Sequence, residues 1–261
     1  MKTIIVPVDF SETSLNAARF TAQMLSGHSD VYVVLYTMFE EEGESETAGN
    51  YLETLKKELL AKGNTNIECV KEYGKDLIEN LSRLAHQKAA SLIVMGITGR
   101  STFGQVFMGS NTLKMVDRNI CPVMIIPPDA KFREIKNVAF TSDFQNVEGT
   151  TPVIFIKSVL DLFRPNLHII NVDSSHYVSL TEEYLGQRAE LREMFGEFNP
   201  EFYFIGTYDL QETVQQFTVD KNIDLLITIP RNHSFFGSMF KTSNTKRLVY
   251  ESAIPILAAH E

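Results

Sequence analysis

Four short apolar runs occur twice in this chain, in the same order and about 134 residues apart. The run from Lys2 to Phe10 (KTIIVPVDF) returns as Lys136 to Phe144 (KNVAFTSDF), so that Asp9 maps to Asp143 at an offset of 134. Val31–Leu35 finds a counterpart in Leu167–Ile170, with Leu35 placed against Ile170 at 135. Ser91–Met95 maps to Asp224–Thr228, and Pro122–Ile126 to Pro255–Ala259, both at 133. Runs that are short, rich in β-branched residues and bounded by turn residues read as buried strands. Landmarks in one order at nearly constant offset mean an internal duplication. The chain is expected to form two domains, 1–130 and 131–261.

Helical stripes lie between the strands. Leu15, Ala18, Ala22 and Leu25 follow Ser11, an N-cap residue type, and Gly27 closes the run. Leu52, Leu55 and Leu59 make a second stripe, and Leu77, Leu81 and Leu84 a third. Ser110–Asp117 forms a short fourth. In the second copy Pro152 suits a first helical turn. Ile156, Val159 and Phe163 continue from it, and Leu210, Val214 and Phe217 make a later stripe. A helix near 180–195 is interrupted by Gly186. The β-α-β-α-β-α-β-α-β order with continuously apolar strands predicts, in each copy, a five-stranded parallel sheet with helices on both faces. The acidic stretch Glu40–Glu46 between a strand and a helix reads as a solvated loop, one that would repel phosphate.

Composition removes several function classes. Lys and Arg number 24 against 33 Asp and Glu, a net charge of −9, which argues against a nucleic-acid binder needing a basic footprint. No apolar run approaches the ~18–20 residues of a membrane span. The N-terminal run meets an acid at Asp9 and carries no small-residue cleavage site, so it is not read as a secretory signal. Two cysteines, Cys69 and Cys121, make no disulfide framework and suit a reducing cytoplasm. Both are expected to be buried and inert.

The segment after the fourth strand carries the chemistry. Gly96, Gly99 and Gly109-Ser110 fit the pattern G-x2-G-x9-G-[ST], between a strand and a helix start. In open parallel sheets, ligands bind at the carboxyl ends of the strands, near a topological switch point. Glycines let backbone approach a phosphate and take up positive φ, and a helix opening at Ser110 adds its dipole. Thr98 and Asn111 offer further donors. The competing reading is a tight turn at Gly96 and Gly99 with Ser110 as a plain N-cap. No Gly-Lys-[Ser/Thr] follows, so this is not a Walker A loop. The spacing and the position after the fourth strand also exclude the dinucleotide fingerprint.

Val6–Ser11 (VPVDFS), Leu92–Gly96 (LIVMG), the glycine pattern and Cys121–Ile126 (CPVMII) together resemble the universal stress protein family, through the whole first copy and in family order. The two-copy length resembles its tandem members. The resemblance implies a fold related to the adenine-nucleotide α-hydrolases and, where the glycine pattern is intact, ATP binding, with Mg²⁺ accompanying the nucleotide. By that likeness Pro7 and Asp9 would sit at the adenine and ribose. Thr37, just after strand two, would line the adenine pocket and Met95 would flank the nucleotide. Gly96, Gly99, Gly109, Ser110 and Asn111 would hold the phosphates. Ser91 departs from the family, which usually has an acid there. Pairing of single-copy subunits along the edge after strand five would here occur within the chain as a pseudo-dimer, with a homodimer of whole chains left open.

The second copy departs from the glycine pattern. Gly96, Gly99 and Gly109 correspond to Ile229, Asn232 and Thr242, and Pro230 removes an N–H. Its site is expected not to bind ATP. Residues 1–133 carry a charge of −2 and residues 134–261 a charge of −7. Arg231, His233, Lys241, Lys246 and Arg247 gather around the lost loop, as a solvated rim or as another anion or protein contact. The six histidines show no metal-ligand spacing, and no Cys-x-x-Cys or Gly-x-Ser-x-Gly occurs. His168, inside a strand, reads as a core or sheet residue. The expected function is an ATP-binding regulatory or stress-response module. A slow ATPase, a nucleotidyl transferase and a scaffold that does not use its loop are the alternatives.

Overall fold

The computed structural model describes residues 2–61, 66–97, 110–173, 181–206, 210–230 and 254–260. Two compact units divide the chain, Met1–Arg133 and Glu134–Glu261. The first unit runs β1 (Lys2–Pro7), α1 (Glu12–Met24), β2 (Val31–Phe39), α2 (Ser45–Leu60), β3 (Asn66–Tyr73), α3 (Leu77–Gln87), β4 (Ala90–Gly96), α4 (Ser110–Asp117) and β5 (Val123–Ile126). All four strand pairings are parallel, in the order β3-β2-β1-β4-β5. The sheet is covered on both sides. Cys69, paired in register with Leu35, meets Glu53 of α2, whereas the next position, Tyr36, meets Asn80 of α3. Successive strand residues face opposite ways, so α2 and α3 lie on opposite faces. Double coverage is why Ile4–Pro7, Leu92–Met95 and Val123–Ile126 are buried without alternation.

The second unit runs β6 (Asn137–Thr141), α5 (Val147–Thr150), α6 (Val153–Phe163), β7 (Asn166–Asp173), α7 (Glu182–Met194), β8 (Glu201–Gly206), α8 (Leu210–Asp220), β9 (Leu225–Thr228) and β10 (Ile256–Ala258). Its strands are again parallel, in the order β10-β9-β6-β7-β8. Each unit thus has the expected five-stranded α/β sheet.

Register refines the repeat. Val6 pairs with Leu35 in the first unit, and Phe140 with Ile169 in the second. The bond from the Val8 N–H to the Tyr36 carbonyl (2.7 Å) returns as Ser142 N–H to Ile170 carbonyl (3.0 Å). Leu35 therefore corresponds to Ile169, at 134, and not to Ile170. A one-residue slip would have turned every side chain of the strand to the other face.

The turn after the first strand is also repeated. Phe10 and Phe144 both have left-handed backbone, φ 61° and 56°, which bulky residues adopt at a cost. Each is fixed by a tyrosine of the second long helix of its unit. Phe10 lies 5.2 Å from Tyr51, and Phe144 stacks on Tyr184 at 5.0 Å and 8°.

Several local expectations are corrected. Strand β2 continues to Phe39, so Thr37 lies inside it and not after it. Glu42–Glu44 form a 3-10 turn and α2 begins at Ser45, so the acidic stretch is partly ordered, although its glutamates are exposed. Pro152 occupies the N-cap of α6, behind an extra one-turn helix. Helix α7 runs through Gly186 without interruption. His168 is buried in β7, as expected of a sheet residue.

Candidate nucleotide cleft

Strand β1 lies between β2 and β4, with β2 leading outward one way and β4 the other. The carboxyl ends of β1 and β4 therefore flank the switch point of the first unit. A cleft of about 730 Å³ opens there, within the range of small-molecule sites. β1 contributes Pro7, and the turn after it Val8 and Asp9; β2 contributes Met38, β4 Met95 and Gly96, and α4 Asn111, Thr112 and Lys114. The start of α1 and the start of α3 close two further sides. Of the nine sequence-predicted site residues, the cleft brings together Pro7, Asp9, Met95, Gly96 and Asn111. Ser110 is the first residue of α4. Gly99 and Gly109 lie outside the described residues.

Asp9 is held by the helix it precedes. Its Oδ1 accepts from the Ser11 hydroxyl (2.6 Å) and the Ser11 N–H (3.0 Å). Ser11 in turn caps α1, its hydroxyl accepting from the Ser14 N–H. Partial burial raises the Asp9 pKa, but the bonds from Ser11 and Ser14 together outweigh it, and the carboxyl sits below its ordinary range. It is an ionised acceptor, suited to sugar hydroxyls or amino groups.

Gly96 is a close-approach glycine. A Cβ at this position would fall 2.7 Å from the Thr13 carbonyl carbon and closer still to its oxygen. Among the described glycines only Gly27 has positive φ, so handedness is not what Gly96 supplies. The carbonyl of Gly96 also accepts from the Thr112 hydroxyl (3.2 Å), tying the end of β4 to α4. In the second unit Ile229, buried, stands at the corresponding position.

Thr37 is buried and does not line the cleft; its neighbour Met38 does. Met38 is set by Asn80, whose amide meets its sulfur at 3.7 Å, and by Gly74, where a Cβ would lie 3.3 Å from that sulfur. Lys75, Asp76 and Lys114 also escaped the sequence reading. The signal for Asp76 was present: an Asx residue directly before the Leu77 stripe. It caps α3 by accepting from Ile78 N–H (3.0 Å) and Glu79 N–H (3.1 Å). Glu40 of the acidic stretch lines the cleft as well, although the sequence of that stretch reads as a solvated loop that would repel phosphate.

Both thiols are quiet. Burial raises Cys69 to about 11 and Cys121 to about 12. No group of three or more His, Cys, Asp and Glu able to hold a metal ion occurs among the described residues. No described helix is long and apolar enough to cross a membrane.

Comparison with known proteins agrees with this fold and places the sequence. The Universal stress protein family model matches residues 1–127. Universal stress protein MJ0531 of Methanocaldococcus jannaschii is 28% identical over 150 residues, covering 50% of this chain and 84% of its own. A universal stress protein structure from Archaeoglobus fulgidus superposes with a TM-score of 0.71 at 16% identity, covering 99% of this chain and 96% of that one. A protein of unknown function from Pseudomonas aeruginosa PAO1 gives 0.65 at 13% identity, covering 99% and 92%. At such identities the structures speak for the fold alone, while the family match speaks for the first unit. Residues 1–127, nearly all of the first unit, thus carry a universal stress protein domain.

Proposed function

We propose that the first unit binds an adenine nucleotide, ATP foremost, one per chain, and that the protein acts as a nucleotide-responsive regulatory module of the stress response. The observation that carries this reading is the switch-point cleft of about 730 Å³, which gathers Pro7, Asp9, Met95, Gly96 and Asn111 from three separate segments. Its chemistry suits the parts of a nucleotide. Pro7, Val8, Met38 and Met95 offer apolar and sulfur contacts for a base. The Asp9 carboxylate accepts from ribose hydroxyls. The start of α4, at Ser110 and Asn111, offers helix N–H groups and a positive dipole end to phosphate. Gly99 and Gly109 complete the cradle in this reading, and Mg²⁺ enters with the triphosphate.

The second unit is proposed not to bind ATP. Ile229 and Pro230 stand where the first unit has Gly96 and Ile97, bringing a bulky Cβ and removing a backbone donor. The test is direct. Purified protein equilibrated with ATP, desalted and denatured should release adenine nucleotide, identified by mass spectrometry, at close to one per chain. Release of none would end the proposal.

A further inference from the structure

The nucleotide cleft does not stop at the start of α4. A second cavity of about 430 Å³, lined by Asp76, Ile78, Lys114, Asp117 and Arg118, shares Asp76, Ile78 and Lys114 with it. The two form one groove running between α3 and α4. Three cations stand along it: Lys75 at the mouth of α3, Lys114 at the junction, and Arg118 beyond. Three other cations of this unit are engaged in ion pairs, Arg19 with Glu58, Arg83 with Glu72 and Lys88 with Glu68. Among the described residues, the side chains of Lys75, Lys114 and Arg118 form no ion pair.

Carboxylates line the groove as well, Asp76 and Asp117 beside Lys114 and Arg118. Asp9 and Glu40 belong to the main cleft alone. Asp76 already caps α3 through two N–H groups, which leaves that helix end with less to offer an anion. Ser11 caps α1 in the same manner. Lys114 lies four residues, about one turn, beyond Ser110 and on the same face of α4. A phosphate chain anchored at the start of α4 would therefore pass Lys114.

We propose that Lys114, with Lys75 and Arg118 beside it, selects nucleotides by phosphate number, holding the distal phosphates of a nucleoside di- or triphosphate in the α3–α4 groove. This deepens, and rests on, the adenine-nucleotide reading of the cleft. All three side chains are exposed, so their replacement leaves the core untouched. The test is calorimetry of the full chain with AMP, ADP and ATP at low salt. The parent protein should bind ATP at least about tenfold more tightly than AMP, with the difference shrinking as salt rises. Lys114→Gln should weaken ATP about tenfold and leave AMP within about twofold, while Lys114→Arg keeps most of the preference. Equal affinity for AMP and ATP in the parent, or a Lys114→Gln variant that weakens both alike or neither, would overturn the selection while leaving the cleft assignment standing. Binding of none of the three would overturn both.

Discussion

The α-carbon of Gly96, at the end of β4, faces the Thr13 carbonyl in the first turn of α1 so closely that no Cβ fits between them. One side of the cleft is thus built by backbone packed on backbone. Gly96→Ala must push α1 away from the sheet, and it should cost about 1–3 kcal/mol, the range for overpacking. Urea denaturation should show a lower midpoint with an unchanged slope. Gly43→Ala, where nothing lies within 4 Å, serves as the control and should shift the midpoint little.

Gly186 predicts the opposite sign. It lies within α7, has no positive φ, and an added Cβ would meet nothing within 4 Å. Alanine loses less backbone entropy on folding, so Gly186→Ala should raise stability by about 0.5–1 kcal/mol. Thermal or urea unfolding checks it, and a destabilised variant would contradict the helix geometry.

His168 makes stability depend on pH. Its two ring nitrogens are buried without hydrogen-bond partners, and Tyr203 and Phe217 pack against the ring. Burial lowers its pKa; Glu201, with an oxygen 3.7 Å away, partly restores it, and Lys221 opposes. The unfolded chain then takes up the proton first, near 6.5. Stability should fall as pH drops through that value, and the fall should level off below the folded-state pKa. Replacing His168 by Phe removes this contribution. The parent's denaturation midpoint should decline relative to the variant between pH 7.5 and 5, whereas a constant difference would contradict the burial argument.

The thiols should be slow. With Cys69 raised to about 11 and Cys121 to about 12, very little thiolate exists at neutral pH. Folded protein should react with a disulfide reagent far more slowly than urea-unfolded protein, with Cys121, 5% exposed, the slower of the two.

Much of the fold was legible because local and tertiary signals agree. Ser11 caps α1, α4 spans Ser110–Asp117, and the repeated apolar runs became paired strands, since each burial pattern had a single period to obey. Thr37 shows where legibility ended. A sequence shows where an apolar run thins, but β2 continues past Leu35 to Phe39, and which face each residue takes depends on register. Register puts Met38, not Thr37, on the side of Tyr36 and α3, hence in the cleft. Lys75 and Lys114 were invisible for another reason. They are 39 positions apart in the chain, and only the approach of α3 to α4 makes them neighbours of one groove. Of the two causes offered for a glycine at position 96, close approach to a phosphate and positive φ, the second is absent, and its closeness to Thr13 of α1 is a tertiary fact that no local pattern shows.

The central claim is that ATP occupies the cleft of the first unit, and methionine methyl spectra test it most directly. Of the nine methionines, Met38 and Met95 line the cleft, Met24 is buried in α1, and Met194 lies in α7 of the second unit. Titrating ATP into methyl-labelled protein should move the Met38 and Met95 resonances together, saturating at one nucleotide per chain, and leave Met194 in place. Unmoved Met38 and Met95 resonances at millimolar ATP, or a saturating shift at Met194 instead, would contradict the account.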